Sequence, residues 1–271
     1  MTPLMLLAVL AGAQADPPLP LESRVPGGIA LLDLGPPAAT NQHLSYKGHR
    51  APIVVVGQRR MAVVGIPLDT TPGVQTASLE SADGTRSSAV SFEVLPKPYE
   101  EQHLTVQNQR HVDPAPDDLK RIATERERID RALSTYDEGR EPLLRLGAPI
   151  AGRRSSSFGL RRYFNGQARA PHSGMDIAAP AGTPIVNPAP GRVLDAGDFF
   201  FNGQTVIVDH GQGVIAIYCH LSRTDVKPGD ELGAGAQLGL VGATGRVTAA
   251  HLHWGIAINR ALVDPALLLR D

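Results

Sequence analysis

The chain has 271 residues, 26 Lys/Arg against 27 Asp/Glu for a net charge of −1, and one cysteine. That length provides for about two domains with real cores. The charge balance argues against nucleic acid as the main partner, and a lone cysteine excludes an internal disulfide.

Residues 1–15 read as a signal peptide. Leu4–Ala11 is a short apolar run, Ala13-Gln14-Ala15 offers a small-x-small cleavage site, and Asp16-Pro17-Pro18 would begin the mature chain. The run is too short to cross a bilayer, so no stable membrane span is expected from it. Residues 22–110 alternate apolar runs with turn signals. Ile29 to Leu34, Ile53 to Val56, Ala62 to Ile66, the alternating Val90, Phe92 and Val94, and finally Leu104 and Val106 read as strands. They predict a small antiparallel β-sandwich, an accessory domain. Residues 113–142 predict a linker helix: Leu119, Ile122, Ile129 and Leu133 recur at helical spacing, and Asp117 and Asp118 fall in its first turn. From 146 to 271 the pattern is strand and turn throughout, predicting an all-β domain of antiparallel sheets with an open groove. The 28 Gly and 23 Pro suit such short strands and tight turns.

The chemistry gathers in this last domain. It holds His172-Ser173-Gly174-Met175-Asp176, Tyr218-Cys219-His220-Leu221 and His251-Leu252-His253-Trp254. On a strand, residues two or four apart share a face. His172 with Asp176, and His251 with His253, can therefore each present two polar groups to one side, with Met175, Ile177, Leu252 and Trp254 turned to the core. By the same rule Cys219 points away from Tyr218 and His220 and is a small buried apolar residue. Imidazole and carboxylate suit zinc, and a catalytic site typically keeps three protein ligands and one open position. His172, Asp176 and one of His251 or His253 would fill that count. The remaining histidines would serve as a general base and an oxyanion donor. His210, in a turn, reads as structural.

The stretch from about Ser157 to Pro265 resembles the lysostaphin-type (LytM-like) zinc metallopeptidases that act on peptidoglycan. The matching words are Phe158-Gly159-Leu160-Arg161, His172 to Ala178, Gly182-Thr183-Pro184, Asp209-His210-Gly211, Tyr218 to Ser222, Val226 to Asp230, Gly242-Ala243-Thr244-Gly245 and His251 to Trp254. The resemblance implies one Zn²⁺ per chain held by His172, Asp176 and His253, with His220 and His251 catalytic. The residue before His251 is often Pro in that family and is Ala250 here, a change outside the chemistry. The first half, through Val25-Pro26-Gly27-Gly28, Gly65-Ile66-Pro67-Leu68 and Gln102 to Val106, resembles the region preceding this domain in exported proteins of Gram-negative bacteria. Together these imply an endopeptidase in the periplasm that cuts peptide cross-links, with D-alanine to meso-diaminopimelate as the expected bond. Peptidoglycan stem peptides are the expected partner; no protein partner is indicated.

Two rivals carry different expectations. A catalytically inactive wall-binding module that activates an amidase would lack some of the five residues, and all five are present. A lipoyl-type carrier needs a lysine at a hairpin tip and gives the histidines no role. Two further expectations concern the groove. Arg161, with Arg162 and Arg169 beside it, is the first choice to bind stem-peptide carboxylates, because arginine forks bind them at two points. The first half is mildly acidic and the second mildly basic, which suggests a cover over the groove, with His103 or His111 able to reach zinc's open position.

Overall fold

The computed structural model describes residues 19–37, 42–84 and 87–270. The predicted signal segment lies outside them. Among the described residues no helix is long and apolar enough to cross a membrane.

The first half forms two antiparallel sheets. Ile29–Asp33, Arg59–Gly65 and Ile53–Val56 make a three-stranded sheet in that order, and His49–Ala51, Gln42–Tyr46, Gly73–Ser81 and Ser87–Val94 a four-stranded one. Strand alternation divides the first sheet's side chains between two cores. Ala30, Leu32, Ala62 and Val64 pack with Leu44, Tyr46 and Phe92 inside the sandwich. Ile29, Leu31, Met61 and Val63 face the other way, into the core of the second half with Val214, Trp254, Ile256 and Val263.

The two halves therefore share apolar packing across one sheet. The Asn259 amide bridges the junction: the Gly65 N–H donates to Asn259 Oδ1 at 2.7 Å, and Asn259 Nδ2 donates back to the Gly65 carbonyl at 3.1 Å. Glycine is required there, since a Cβ on Gly65 would lie 2.6 Å from the Ile258 carbonyl oxygen. Buried apolar area is neither screened by salt nor easily separated. This corrects the expectation of a cover held by weak charge attraction.

The end of the predicted sandwich is placed differently. Glu101–Leu104 pairs in parallel with Arg161–Phe164, so this strand leaves the sandwich and joins a three-stranded sheet with Gln167–Ala168 beside the groove. Period-two alternation cannot reveal which sheet a strand joins.

The helix spans Pro116–Leu133. Leu119, expected on its apolar stripe, is 55% exposed. Ile129, Ala132 and Leu133 pack on Ile207, Ile215, Ile217, Cys219 and Ala257. The rest of the docked face is polar. Arg128 makes a two-point contact with Asp195 at 2.7 and 3.0 Å, Arg121 bridges Glu125 and Asp198, and Glu125 Oε2 accepts the Phe200 N–H at 2.7 Å. Helical periodicity reports apolar contact and is blind to a face docked through ion pairs, which is why Leu119 misleads.

The second half is built on a large antiparallel sheet in the order Glu231–Leu232, Gly191–Phe199, Gly203–Asp209, Val214–Thr224, His251–Ile258, Met175–Ala178, Arg153–Ser156. His210 ends the hairpin between Gly203–Asp209 and Val214–Thr224. It is fully buried, Nδ1–H donates to the Pro190 carbonyl at 2.9 Å, and Nε2 has no partner. Burial pushes its pKa down to about 4. The folded state therefore binds fewer protons than the unfolded state, where histidine titrates near 6.5. Stability is full above about pH 6.5 and is lost as pH falls toward 4, by on the order of 3 kcal/mol from this residue. His210→Gln is expected to lower stability at pH 7 while flattening the slope between pH 6.5 and 4. An unchanged slope in urea titrations across that range would show that another group carries it.

Candidate metal centre and groove

The strand His251–Ile258 sits centrally, with Leu252 and Trp254 fully buried and His251 and His253 on the opposite face. The neighbouring strand brings Asp176 directly across from His253 and Ala178 across from His251. Directly opposed residues project to the same face, so Asp176 joins the two histidines.

His172 arrives by another route. It precedes the strand Met175–Ala178 and is fixed by backbone bonds: its N–H donates to the Leu160 carbonyl at 2.9 Å and its carbonyl accepts the Gly159 N–H at 2.8 Å. The strand-spacing argument for His172 and Asp176 thus has the right partners by the wrong geometry. Gly174 between them is dictated by close packing, because a Cβ there would lie 2.7 Å from the His253 ring and 2.6 Å from the Trp254 carbonyl oxygen.

His220 is turned by backbone irregularity. Plain alternation would send it inward with Tyr218, which is buried in the core. The pairing of Gly203–Asp209 with Val214–Thr224 shifts register here, and His220 takes φ +68°. A bulge re-aims side chains in this way, and left-handed backbone at a non-glycine residue stores strain of about 1–3 kcal/mol. The ring lands 4.9 Å from that of His251 and 5.9 Å from that of His253, centre to centre. Cys219 is buried against the helix, and His220 shares its face of the sheet, which corrects the expectation that the two point apart.

Three donor atoms converge. His172 Nε2, His253 Nδ1 and Asp176 Oδ1 lie 2.9 Å from one another on every edge. The chemistry of this triangle calls for a cation. His172 Nδ1 donates to the Ser157 carbonyl at 2.7 Å, so the neutral ring carries its lone pair on Nε2. That lone pair faces a carboxylate oxygen, and two acceptors at this distance need a positive charge between them. Burial opposes the Asp176 charge, but the neighbouring His172 and His253 hold its carboxyl far below the usual carboxylate range. Burial lowers the pKa of His253, favouring the neutral ring a metal requires. The donor set and its spacing fit zinc.

The other two imidazoles are oriented alike. His220 Nδ1 donates to the Thr244 carbonyl at 2.9 Å and His251 Nδ1 to the Ala249 carbonyl at 2.8 Å. In its neutral form each ring therefore offers an Nε2 lone pair to the groove. His251 Nε2 lies 3.7 Å from Asp176 Oδ1. Burial, then the neighbouring His253 and His251, push the His220 pKa well down.

Asp176 is held from behind. Arg162 Nη2 donates to its second oxygen, Oδ2, at 2.8 Å, and Arg162 Nε donates to Gln102 Oε1 at 3.0 Å. Groups that orient a metal ligand typically contribute 10–100-fold in metal affinity. Arg162→Met is therefore expected to weaken metal binding at the triangle by about that factor, read by competition with a chromogenic chelator. Undiminished affinity would show that Asp176 needs no such support.

A cleft of about 300 Å³ runs beside these groups, lined by Gln102, Leu104, Arg162, Asp176, His220, Arg246 and His251 among others. The structure does not bring Arg161 to it. Arg161 is exposed, while Arg162 and Phe164, two residues apart, turn to the cleft. Adjacent residues on a strand face opposite sides, so Arg161 points away from the cleft that Arg162 and Phe164 line. Arg169 donates to the Val112 carbonyl. Neither His103 nor His111 joins the donor triangle: His103 is exposed and stacks on Tyr163, and His111 packs edge-on against Phe200. The sequence reading gave no role to Gln102 as the support of Arg162 or to Arg246. Arg246 directly follows the Gly242–Gly245 word, the one signal that could have drawn attention to it.

Residues 170–265 match Peptidase family M23, and residues 22–97 match the Peptidase family M23 N-terminal domain. A crystal structure of a candidate peptidase M23 from Pseudomonas aeruginosa superposes with a TM-score of 0.77 at 42% identity, covering 92% of this chain and 96% of that one. Peptidoglycan DD-endopeptidase ShyA of Vibrio cholerae is 39% identical over 106 residues, which is 39% of this chain and 25% of that protein. ShyC, named likewise and from the same organism, is 38% identical over 141 residues, 50% of this chain and 32% of that protein. The chain spans only a quarter to a third of the length of these curated relatives.

Proposed function

The chain belongs to peptidase family M23, and from that premise we propose that it is a zinc-dependent endopeptidase that cuts the peptide cross-links of peptidoglycan in the periplasm of a Gram-negative cell. One observation carries the reading: three metal-binding atoms converge while two further imidazoles aim free Nε2 lone pairs into the same cleft. The names of ShyA and ShyC favour a bond of DD configuration, D-alanine to meso-diaminopimelate.

His172, Asp176 and His253 would hold one zinc. When bound there, zinc polarises a carbonyl and lowers the pKa of a water to about 7. The protein's own part is proton handling. His251 or His220 takes the proton of the attacking water at Nε2. The ring, still donating from Nδ1 to its backbone carbonyl, then has a donor at both nitrogens. It can stabilise the developing oxyanion and pass the proton to the departing amine, so that water is consumed and two termini are formed. The second imidazole completes the hydrogen bonding around the reacting carbonyl. Fixed carbonyl partners keep both rings from rotating out of position, which is the orientation contribution to catalysis.

The test is digestion of purified sacculi followed by mass spectrometry of the fragments. Zinc-loaded protein is expected to convert dimeric muropeptides to monomers by cleavage at D-alanine–diaminopimelate. A chelator should abolish this and added zinc restore it, with metal analysis giving one zinc per chain. Sacculi left intact by fully loaded protein would point instead to a wall-binding module.

A further inference from the structure

Arg246 is a cation without a counter-ion. Its backbone N–H donates to the Phe201 carbonyl at 2.8 Å, and Gly245 before it takes φ +73°, where a Cβ would lie 2.4 Å from the Gly203 nitrogen. This tight approach pins the loop. The guanidinium then sits between two aromatic faces, 4.6 Å from the ring centre of Phe164 and 4.3 Å from that of Phe201. Among the described residues it makes no side-chain hydrogen bond and no ion pair. Two neighbouring cations are committed elsewhere: Arg162 to Asp176, and Arg169 to the Val112 carbonyl with Asp113 at 3.7 Å. Burial, then the charges of Arg162 and Arg169, lower the Arg246 pKa to about 10.

Taking a cation out of water without a partner is unfavourable. Stacking on Phe164 and Phe201 offsets part of that cost. What stays unused is the donor fork, and it opens on the cleft that holds Asp176, His220 and His251. We propose that Arg246 is the receptor for a free carboxylate of the peptide substrate, binding it at two points while Phe164 and Phe201 hold the fork in plane. The assignment rests on the endopeptidase reading, since stem peptides carry such carboxylates on D-glutamate and diaminopimelate. A planar carboxylate matches the planar fork at two points, which is the geometry that arginine recognises best.

The experiment uses three cross-linked muropeptide dimers: one with free carboxylates, one amidated at D-glutamate and one amidated at diaminopimelate. Binding to the zinc-loaded full chain carrying His251→Ala, which blocks turnover, is measured by calorimetry. Cleavage of the same dimers is measured with the zinc-loaded parent. One amidation is expected to weaken binding at least ~10-fold, the scale of a lost charge-assisted hydrogen bond. Arg246→Gln should bind all three alike, and Arg246→Lys should keep part of the preference. Because the readout compares ligands on one protein, a general loss of stability cannot imitate it. If neither amidation matters, or if Arg246→Gln keeps the full preference, the receptor assignment is wrong even when cleavage proceeds. If the free dimer is preferred through Arg246 yet the zinc-loaded parent leaves it uncut, the endopeptidase reading fails and the receptor stands. Dimers that neither bind nor are cut overturn both.

Discussion

Asp176→Asn is expected to empty the zinc site and to abolish turnover, a loss of more than about 10⁴-fold given how far bulk water lies from a neutral-pH nucleophile. The substitution keeps the side chain's shape, so the loss measures charge. Oδ1 meets the two imidazole nitrogens at 2.9 Å, while Oδ2 takes the Arg162 guanidinium. An asparagine amide is a poor zinc ligand, and it also leaves Arg162 without its anion. Arg162 keeps only 19% of its side-chain surface exposed. Removing one partner of a buried pair costs about 3–5 kcal/mol because the other charge is stranded. Metal-free Asp176→Asn should therefore unfold at lower denaturant than the metal-free parent. Adding Arg162→Met should recover much of that stability without recovering zinc. Zinc content by elemental analysis and urea midpoints separate the two effects. A variant that retains stoichiometric zinc would remove Asp176 from the donor set.

Much of this site is legible in the sequence, for a definite reason. His251-Leu252-His253-Trp254 is a clean alternation in a regular strand, so period two places both histidines on one face and both apolar residues in the core. Asp176 follows from the same rule once its strand is paired with theirs. The failures occur where backbone departs from that period. His172 lies off its strand, and His220 sits on a left-handed bulge that no alternation can anticipate. Arg161 stands out in the sequence because it ends the Phe158-Gly159-Leu160-Arg161 word, and a word does not say which face of a short strand its last residue takes. The sandwich is legible, but the passage of Glu101–Leu104 into a different sheet depends on a parallel pairing across 60 residues. Leu119 fails because the helix docks mainly through Arg121, Arg128 and Glu125. Arg246 gives no motif of its own. Its unusual state arises from two phenylalanines, one more than 80 residues away and one in an adjoining hairpin.

His251→Ala and His220→Ala are each expected to keep stoichiometric zinc and to lose about 10²–10⁴-fold in kcat, the usual contribution of a positioned acid or base. Neither nitrogen belongs to the donor triangle: His251 Nε2 stands 3.7 Å from Asp176 Oδ1, against 2.9 Å for the three members. His253→Ala, two residues along the same strand, should lose zinc and activity together. The contrast within one H-x-H word is the discriminating result, because a general disturbance of the strand would affect both positions alike. The double variant His220→Ala with His251→Ala should be little worse than the poorer single one, since groups that act as a unit are strongly non-additive. His220→Ala carries an added effect on the scaffold. It deletes the Nδ1–H bond to the Thr244 carbonyl, on the loop that also presents Arg246, and Thr244 Oγ1 ties that loop to Leu221 and Gln204. That variant should accordingly raise KM as well as lower kcat, whereas His251→Ala should act on kcat alone. If His251→Ala empties the site while His253→Ala stays loaded, the two histidines have exchanged roles, and the ligand set must be redrawn around His251.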